Sequence, residues 1–154
     1  GHGFGRLLDE YRYYNESLPV DEQNVVNSWR ASDPYFGYNI SLTGDRELVH
    51  WKHYFDMAGY EAVGMYEGAY LYNMGAWRPE YISCMEDNRP YYNAPSREAI
   101  VRRIMKASGS TFDFDDFLAK DARALSSGAA MAAQAPAVPY DFVPLAPPVL
   151  IDNR

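Results

Sequence analysis

Three prolines close together constrain how this chain can fold. Pro79, Pro90 and Pro95 all lie within residues 78–95. Proline has no amide hydrogen to donate to a helix or a sheet, so this segment cannot be one regular element. It predicts an irregular connection between two parts of the chain with different secondary structure.

The two segments beside this connection have different patterns. Residues 61–77 are aromatic and are interrupted by three glycines, which is typical of short strands or extended chain. Residues 95–108 predict a helix, because Asn93 can cap its start and Gly109 can end it. That helix should bury one apolar stripe, which consists of Ile100, Val101, Ile104 and Met105.

Acidic residues mark three further helix starts. Asp21 should cap a helix that ends near Ser32, and Asp45 should cap a second. A third should begin at Asp113 or Asp115. The apolar residues that these helices are expected to bury are Val25, Val26 and Trp29 in the first, Leu48, Trp51 and Phe55 in the second, and Phe117 and Leu118 in the third.

The charge and hydropathy of the chain exclude some partners. The formal net charge is -7, whereas a nucleic-acid-binding protein needs a basic surface to neutralise phosphates. No run reaches the roughly 18 to 20 apolar residues of a membrane span. The sequence therefore predicts neither a nucleic-acid partner nor a transmembrane segment. The densest basic cluster is expected to be a solvated helix face, formed by Arg97, Arg102, Arg103 and Lys106.

The composition divides the chain into three ranges. Residues 1–125 are expected to form a folded domain, because the chain is long enough to bury a single core. Residues 126–139 are rich in Ala, Ser and Pro, which is typical of a flexible loop or linker. Residues 140–154 are apolar and contain three prolines, so we expect an extended tail packed on the domain rather than a central strand.

The first eleven residues hold the pattern that is richest in chemistry, Gly-His-Gly-Phe-Gly-Arg-Leu-Leu-Asp-Glu-Tyr. Zinc peptidases hold the metal through two imidazoles on a helix and a third ligand. A glycine three residues after the second histidine lets the chain leave the helix and return to the metal. His2, Gly5 and Asp9 fit this spacing, with Asp9 the candidate third ligand and Glu10 its alternative. We expect residues 1–14 to be a helix end followed by an irregular turn. A surface histidine beside a helix-ending Asp-Glu pair is the competing interpretation.

This stretch resembles the motif of the peptidase M64 group, the IgA-peptidase-like zinc metalloendopeptidases of gut bacteria. The family motif runs from His-Glu through Gly-His-x-Phe-Gly to Leu-x-Asp-Glu-Tyr. Further similarity extends over residues 1–108, in the order that the family has. It lies in Tyr66-Glu67-Gly68, in Trp77-Arg78-Pro79-Glu80, in Ser83-Cys84-Met85 and in Tyr92-Asn93-Ala94-Pro95-Ser96-Arg97.

The resemblance implies an α+β fold, that of a metzincin-like zinc-peptidase catalytic domain. This chain would cover the C-terminal part of that domain, mainly helical and irregular with little strand. Met85 would form the methionine-containing turn that packs beneath the zinc. Tyr91, Tyr92 and Glu67 could line the substrate cleft. The simpler interpretations are an ordinary core methionine, packed tyrosines and a strand-end carboxylate.

The resemblance also implies a function. The intact enzyme would be a bacterial hydrolase, secreted or at the cell surface or in the periplasm, that cleaves protein or peptide substrates with zinc-activated water. His2 and Asp9 would be metal ligands. The family's first zinc histidine and its general-base glutamate have no counterpart in this sequence. We expect them upstream of Gly1, in an N-terminal part of the same enzyme, and this chain alone to be an inactive fragment.

The aromatic content favours an alternative from another class. The chain has 14 Tyr, 7 Phe and 3 Trp, and tyrosine suits a polymer-binding surface as well as a core. A non-catalytic module that binds glycans or peptides would explain this content without a metal. Other candidates have weaker patterns. His50 and His53 are expected to be an exposed or hydrogen-bonded pair, and no histidine base is apparent for Cys84.

Overall fold

The computed structural model describes residues 1–88 and 91–121 of the chain. These residues form a small α+β domain, which confirms the expected fold class. In chain order the elements are β1 (Arg12–Ser17), α1 (Val20–Ser32), β2 (Tyr66–Ala69), β3 (Leu71–Arg78), α2 (Cys84–Asp87), α3 (Ala94–Ala107) and α4 (Phe114–Lys120). A 3₁₀ turn at Lys52–Tyr54 lies between α1 and β2.

The three strands form one sheet in the order β1-β3-β2. β3 runs antiparallel to β2 and parallel to β1. Only Tyr70 separates β2 from β3, and both Tyr70 (φ 51°) and Leu71 (φ 73°) adopt the left-handed backbone of a tight hairpin turn. The expectation of short strands in residues 61–77 is confirmed.

The opening segment differs from its expectation. Residues 2–5 form a turn rather than the end of a helix, and the chain then extends into β1. Three glycines among the first five residues leave little helix propensity. Pairing with β3 holds the following chain extended, with Tyr14 opposite Tyr72. The helix end expected in residues 1–14 is therefore wrong, since the pairing that overrides it comes from a distant part of the chain.

α1 packs against a core that it shares with the sheet. Of its predicted apolar residues, only Val26 is buried, and Val25 and Trp29 are 42% and 38% exposed. That part of the prediction is wrong because α1 meets the core along a narrow stripe. The helix begins after Pro19, so Asp21 lies in its first turn rather than at the cap. The core consists of Leu8, Leu18, Val26, Ile40, Ala69, Tyr72 and Ala76.

The helix expected after Asp45 is absent, since residues 45–57 contain only turns and the 3₁₀ turn. The Asp45 carboxylate accepts a hydrogen bond from the Glu47 amide two residues on (2.8 Å), which closes a local turn instead of capping a helix. Trp51 is fully buried and its indole donates to the Gly64 carbonyl (2.9 Å). Leu48 was expected to be buried but is 68% exposed.

α3 and α4 confirm the two helices expected near the end of the described chain. The Asn93 side chain accepts from the Ser96 amide at the start of α3 (3.0 Å), and Asp113 accepts from Asp116 at the start of α4 (2.8 Å). The buried face of α3 differs from the expected stripe, because Ile104 is 49% exposed. The buried residues of α3 are Ala94, Pro95, Ser96, Glu98 and Ala99. Phe117 of α4 is buried as expected.

The basic cluster of α3 is not the solvated face that was expected. Each of its arginines pairs with a carboxylate: Arg97 with Asp121 (2.6 Å), Arg102 with Glu98 (2.7 Å) and Arg103 with Asp33 (2.6 Å). The three arginine side chains are only 18%, 25% and 18% exposed. A guanidinium reaches a carboxylate through directional hydrogen bonds that a sequence pattern does not reveal.

Several expectations concern residues outside the described ranges. The linker over 126–139, the tail over 140–154 and the last residues of the 1–125 domain all follow Asp121. Within residues 1–88 and 91–121, no helix has both the length and the apolar character needed to cross a membrane.

Candidate metal centre

The opening turn brings His2 and Asp9 together. The Nε2 atom of His2 lies 3.0 Å from Oδ1 of Asp9. The other ring nitrogen, Nδ1, lies 2.9 Å from the carbonyl oxygen of Leu7. The His2 side chain is 62% exposed and that of Asp9 is 23% exposed. The two predicted ligands therefore form an accessible pair whose imidazole is oriented by a second contact.

Gly5 makes this turn possible. A Cβ at Gly5 would lie 2.7 Å from the carbonyl oxygen of Gly1, so the backbone of the turn would have to shift to admit it. The Leu7 amide donates to that same oxygen at 3.3 Å. Arg6 then adopts a left-handed backbone (φ 53°), which reverses the chain toward His2. The return of the chain after Gly5 was expected from the motif, although it follows a turn rather than a helix.

Asp9 and Glu10 point to different environments. Successive side chains of an extended segment alternate between its two faces. Glu10 is fully buried, and its carboxylate accepts hydrogen bonds from Ser83 (2.6 Å), Asn39 (2.7 Å) and Asn93 (2.7 Å). Burial raises the pKa of Glu10 to about 7, against the opposing effect of these three donors. The carboxylate that faces His2 is therefore that of Asp9.

Met85 packs against Gly1 at the start of the opening turn. It is 6% exposed, and a Cβ at Gly1 would overlap its sulfur atom. The carbonyl of Met85 accepts a hydrogen bond from the Glu10 amide (2.8 Å). Ser83 caps α2 by accepting from the Met85 amide (3.1 Å), which fixes the methionine in the first turn of that helix. Met85 thus lies directly beside the residue that precedes His2.

The remaining predicted site residues take different positions. The Tyr92 hydroxyl accepts from the Gly1 nitrogen (2.9 Å), and burial raises the pKa of Tyr92. The Tyr91 hydroxyl donates to the Ile82 carbonyl (2.6 Å). Glu67 is exposed on β2, where its carboxylate accepts from the Gly75 amide (3.1 Å). Tyr92 therefore adjoins the His2 turn, while Glu67 belongs to the hairpin of the sheet.

The other two histidines have separate environments. His50 stacks on Tyr38, and burial together with the charge of Arg30 lowers its pKa to about 4. His53 Nε2 lies 2.9 Å from the Glu98 carboxylate. The two rings are therefore not arranged as a shared metal site. Across the described ranges, no group of three or more His, Cys, Asp or Glu side chains is placed to hold a metal ion.

The buried partners of Glu10 were missed by sequence reasoning. Asn39 was not nominated at all, and Ser83 and Asn93 were noted only within the family likeness or as a helix cap. Of these three residues, only Asn39 has a sequence pattern that could have indicated burial, because it is a polar residue between the aromatic Tyr38 and the apolar Ile40. A buried asparagine needs hydrogen-bond partners, but the sequence does not identify them. The thiol of Cys84 contacts the Tyr92 hydroxyl, a contact that was also not foreseen.

The comparisons with known proteins assign no family. A scan of the chain against models of protein families finds no match, and a search of curated proteins finds no significant relative.

Proposed function

We propose that this chain is part of a zinc-dependent endopeptidase of the peptidase M64 type, with His2 and Asp9 as two of the metal ligands. The observation that carries the proposal is the accessible His2–Asp9 pair, in which Nε2 lies 3.0 Å from Oδ1 and the two side chains are 62% and 23% exposed. The proposal also uses the resemblance of residues 1–108 to that family, and it includes the metzincin-like fold.

The geometry of the pair supports zinc as the occupant. Zinc binds imidazole nitrogen and carboxylate oxygen at about 2.0 to 2.2 Å in tetrahedral sites, which separates the two donor atoms by about 3.3 Å. His2 and Asp9 are within a few tenths of an ångström of that separation. Nδ1 of His2 is directed at the Leu7 carbonyl, and a ligating imidazole commonly donates its second N–H to such an oxygen.

The neighbouring residues fit roles around such an ion. Met85 packs against Gly1, the residue before His2, and the Tyr92 hydroxyl accepts a hydrogen bond from the Gly1 nitrogen. Zinc, when bound, supplies a Lewis acid that activates water for hydrolysis of a peptide bond. The general base and a further histidine would come from the family's His-Glu pair, which has no counterpart in these 154 residues. We therefore expect the chain alone to hydrolyse no protein substrate.

Zinc titration of the full chain tests the proposal. Isothermal titration calorimetry should give one equivalent of bound zinc, and both His2→Ala and Asp9→Asn should abolish it. His50→Phe is the matched control, because it removes an imidazole that packs on Tyr38 elsewhere in the domain. Unchanged zinc binding in His2→Ala would refute the assignment.

A glycan- or peptide-binding module is the second candidate, and the exposed tyrosines near β1 favour it. Tyr13 is 74% exposed and Tyr14 is 48% exposed. The rings of Tyr11 and Tyr13 pack on each other with centroids 5.0 Å apart, and an exposed tyrosine offers a ligand both an apolar ring and a hydroxyl group. Glycan-array binding that is lost in Tyr13→Ala, by a chain that takes up no zinc, would favour this function over the peptidase.

A further inference from the structure

We propose that Asn39 and Glu10 are positioning residues that hold Asp9 toward His2, an inference that rests on the proposed zinc site. Neither side chain faces His2. Both are fully buried, and they act on Asp9 through the backbone on its two sides. We call these two residues the clamp.

The Asn39 side chain of the clamp bonds to the backbone of Leu8, the residue before Asp9. The Asn39 side-chain oxygen accepts from the Leu8 amide (2.9 Å), and the Asn39 side-chain nitrogen donates to the Leu8 carbonyl (2.7 Å). These two bonds reproduce the pairing of a strand neighbour. The same Asn39 nitrogen also donates to the Glu10 carboxylate (2.7 Å). A single amide therefore fixes the residues on both sides of Asp9.

The other side chain of the clamp anchors the residue after Asp9 to the rest of the domain. The second carboxylate oxygen of Glu10 accepts from Ser83, and the first also accepts from Asn93. The Glu10 amide donates to the carbonyl of Met85. Glu10 thereby joins the His2 turn to the caps of both α2 and α3. A turn of the Asp9 backbone that carried the carboxylate away from His2 would break bonds at both neighbours.

This arrangement matters because a metal ligand must be held within about 0.5 Å of its productive position. The Asp9 side chain is partly exposed and contacts the nearby His2 and Tyr11, while the Asp9 backbone carbonyl accepts a hydrogen bond from the Tyr70 amide (2.9 Å). The Tyr70 bond holds the Asp9 carbonyl, and the bonds at Leu8 and Glu10 hold the backbone on both sides of it. The clamp supplies the rigidity from buried groups, while the carboxylate remains accessible.

Glu10→Ala and Glu10→Gln together test the inference. The glutamine retains an oxygen that can accept from Asn39 and Asn93, and its amide can donate to the Ser83 hydroxyl after that hydroxyl rotates. Glu10→Ala loses all three contacts. We expect Glu10→Ala to weaken zinc binding by about tenfold or more, the usual effect of removing an outer partner of a ligand. Glu10→Gln should not show this tenfold loss of zinc affinity.

A spectroscopic signature separates positioning from simple loss of stability. Cobalt bound in place of zinc has visible absorption bands that depend on its ligands, and these should change in Glu10→Ala but not in Glu10→Gln. Val49→Ala is the matched control, since it removes a side chain that is 2% exposed from a second core cluster, which does not contain Leu8. It should lower the melting temperature and leave both the zinc affinity and the cobalt spectrum unchanged. If Glu10→Ala does not fold, Ser83→Ala removes one of the three carboxylate contacts and should weaken zinc binding in the same direction.

The outcomes distinguish the clamp from the zinc site itself. Zinc binding that is lost in His2→Ala but unchanged in Glu10→Ala and Ser83→Ala overturns the clamp and leaves the proposed function standing. Absence of zinc binding by the unaltered chain overturns the proposed function. In that case the clamp is judged by nuclear magnetic resonance. Shifts of the His2 ring and faster exchange of the Leu8 amide in Glu10→Ala, without either change in Val49→Ala, support it, and their absence overturns it.

Discussion

Two histidine–carboxylate pairs in this domain have almost the same separation and very different surroundings. His2 and Asp9 are 3.0 Å apart, and His53 and Glu98 are 2.9 Å apart. The Asp9 side chain is 23% exposed, whereas that of Glu98 is completely buried. The distance between a histidine and a carboxylate therefore does not by itself identify a metal site.

The difference lies in how many donors already occupy each carboxylate. Glu98 accepts from Arg102 (2.7 Å) and from the Tyr54 hydroxyl (3.0 Å) as well as contacting His53. Burial opposes ionisation of this group, but hydrogen bonds from His53 and Arg102 keep the pKa of Glu98 below its usual value. The Glu98 carboxylate thus spends its hydrogen bonds on holding neighbouring side chains in the folded domain. Asp9 also has a phenol partner, Tyr11, but its side chain stays 23% exposed beside an exposed imidazole.

Removing the two carboxylates should have unequal effects on folding. Glu98→Ala leaves Arg102, His53 and Tyr54 without their shared acceptor and should lower the free energy of unfolding by about 3 kcal/mol, as when one partner of a buried ion pair is removed. Asp9→Ala breaks a contact with an exposed imidazole and should cost less than about 1 kcal/mol. Urea denaturation monitored by circular dichroism measures both. Equal losses would show that the two pairs are equivalent in structure.

Zinc should stabilise the domain through one pair only. At a free zinc concentration 100 times Kd, a ligand that binds only the folded state raises the free energy of unfolding by about 2.7 kcal/mol. We expect that increase in the unaltered chain and in His53→Ala, but not in His2→Ala. Thermal denaturation with and without zinc measures it. An increase that disappears in His53→Ala instead would move the metal site to α3.

The third histidine extends the comparison to pH. Burial and the charge of Arg30 lower the pKa of His50 from 6.5 to about 4. Between these two pH values the unfolded chain binds a proton at His50 that the folded chain does not. The contribution of His50 to the free energy of unfolding is therefore fully present above pH 6.5 and is lost as the pH falls toward 4. The full change in pKa corresponds to about 3.4 kcal/mol, and solvent screening of this partly exposed ring reduces the expected loss to roughly 2 kcal/mol. His50→Phe keeps a ring against Tyr38 and should flatten the stability curve in this window, as measured by urea denaturation at a series of pH values; an unchanged slope would contradict the assignment.

An exposed ion pair on α4 should contribute least to the free energy of unfolding. Lys120 and Asp116 lie 2.7 Å apart on α4, with side chains 73% and 53% exposed. Lys120→Ala should change the free energy of unfolding by no more than about 0.5 kcal/mol. A larger loss in urea denaturation would mean that exposure is a poor guide to the strength of ion pairs in this domain.

Local signals allowed some elements to be predicted from the sequence. α3 and α4 begin where Asn93 and Asp113 can cap them, and each cap bonds to an amide three residues on. The approach of Asp9 to His2 was also expected, from a spacing of seven residues around Gly5. These features depend on short stretches of chain, whose geometry the residue types largely determine.

The rest depends on contacts between distant residues. β1 extends because it pairs with β3, and residues 45–57 turn because Trp51 and Tyr54 are buried. The carboxylate of Glu10 meets partners 29, 73 and 83 residues away. Sequence reasoning could therefore nominate Asp9 and Glu10 as alternatives, but not assign one of them to the interior.

The contact between Gly1 and Met85 links the opening turn to the redox chemistry of a thioether. Methionine sulfoxide carries an additional oxygen and is polar. The sulfur of Met85 is already so close to Gly1 that even a Cβ there would overlap it. The added oxygen of an oxidised Met85 would need the space that Gly1 fills. Oxidation of Met85 should therefore displace the turn that holds His2 beside Asp9.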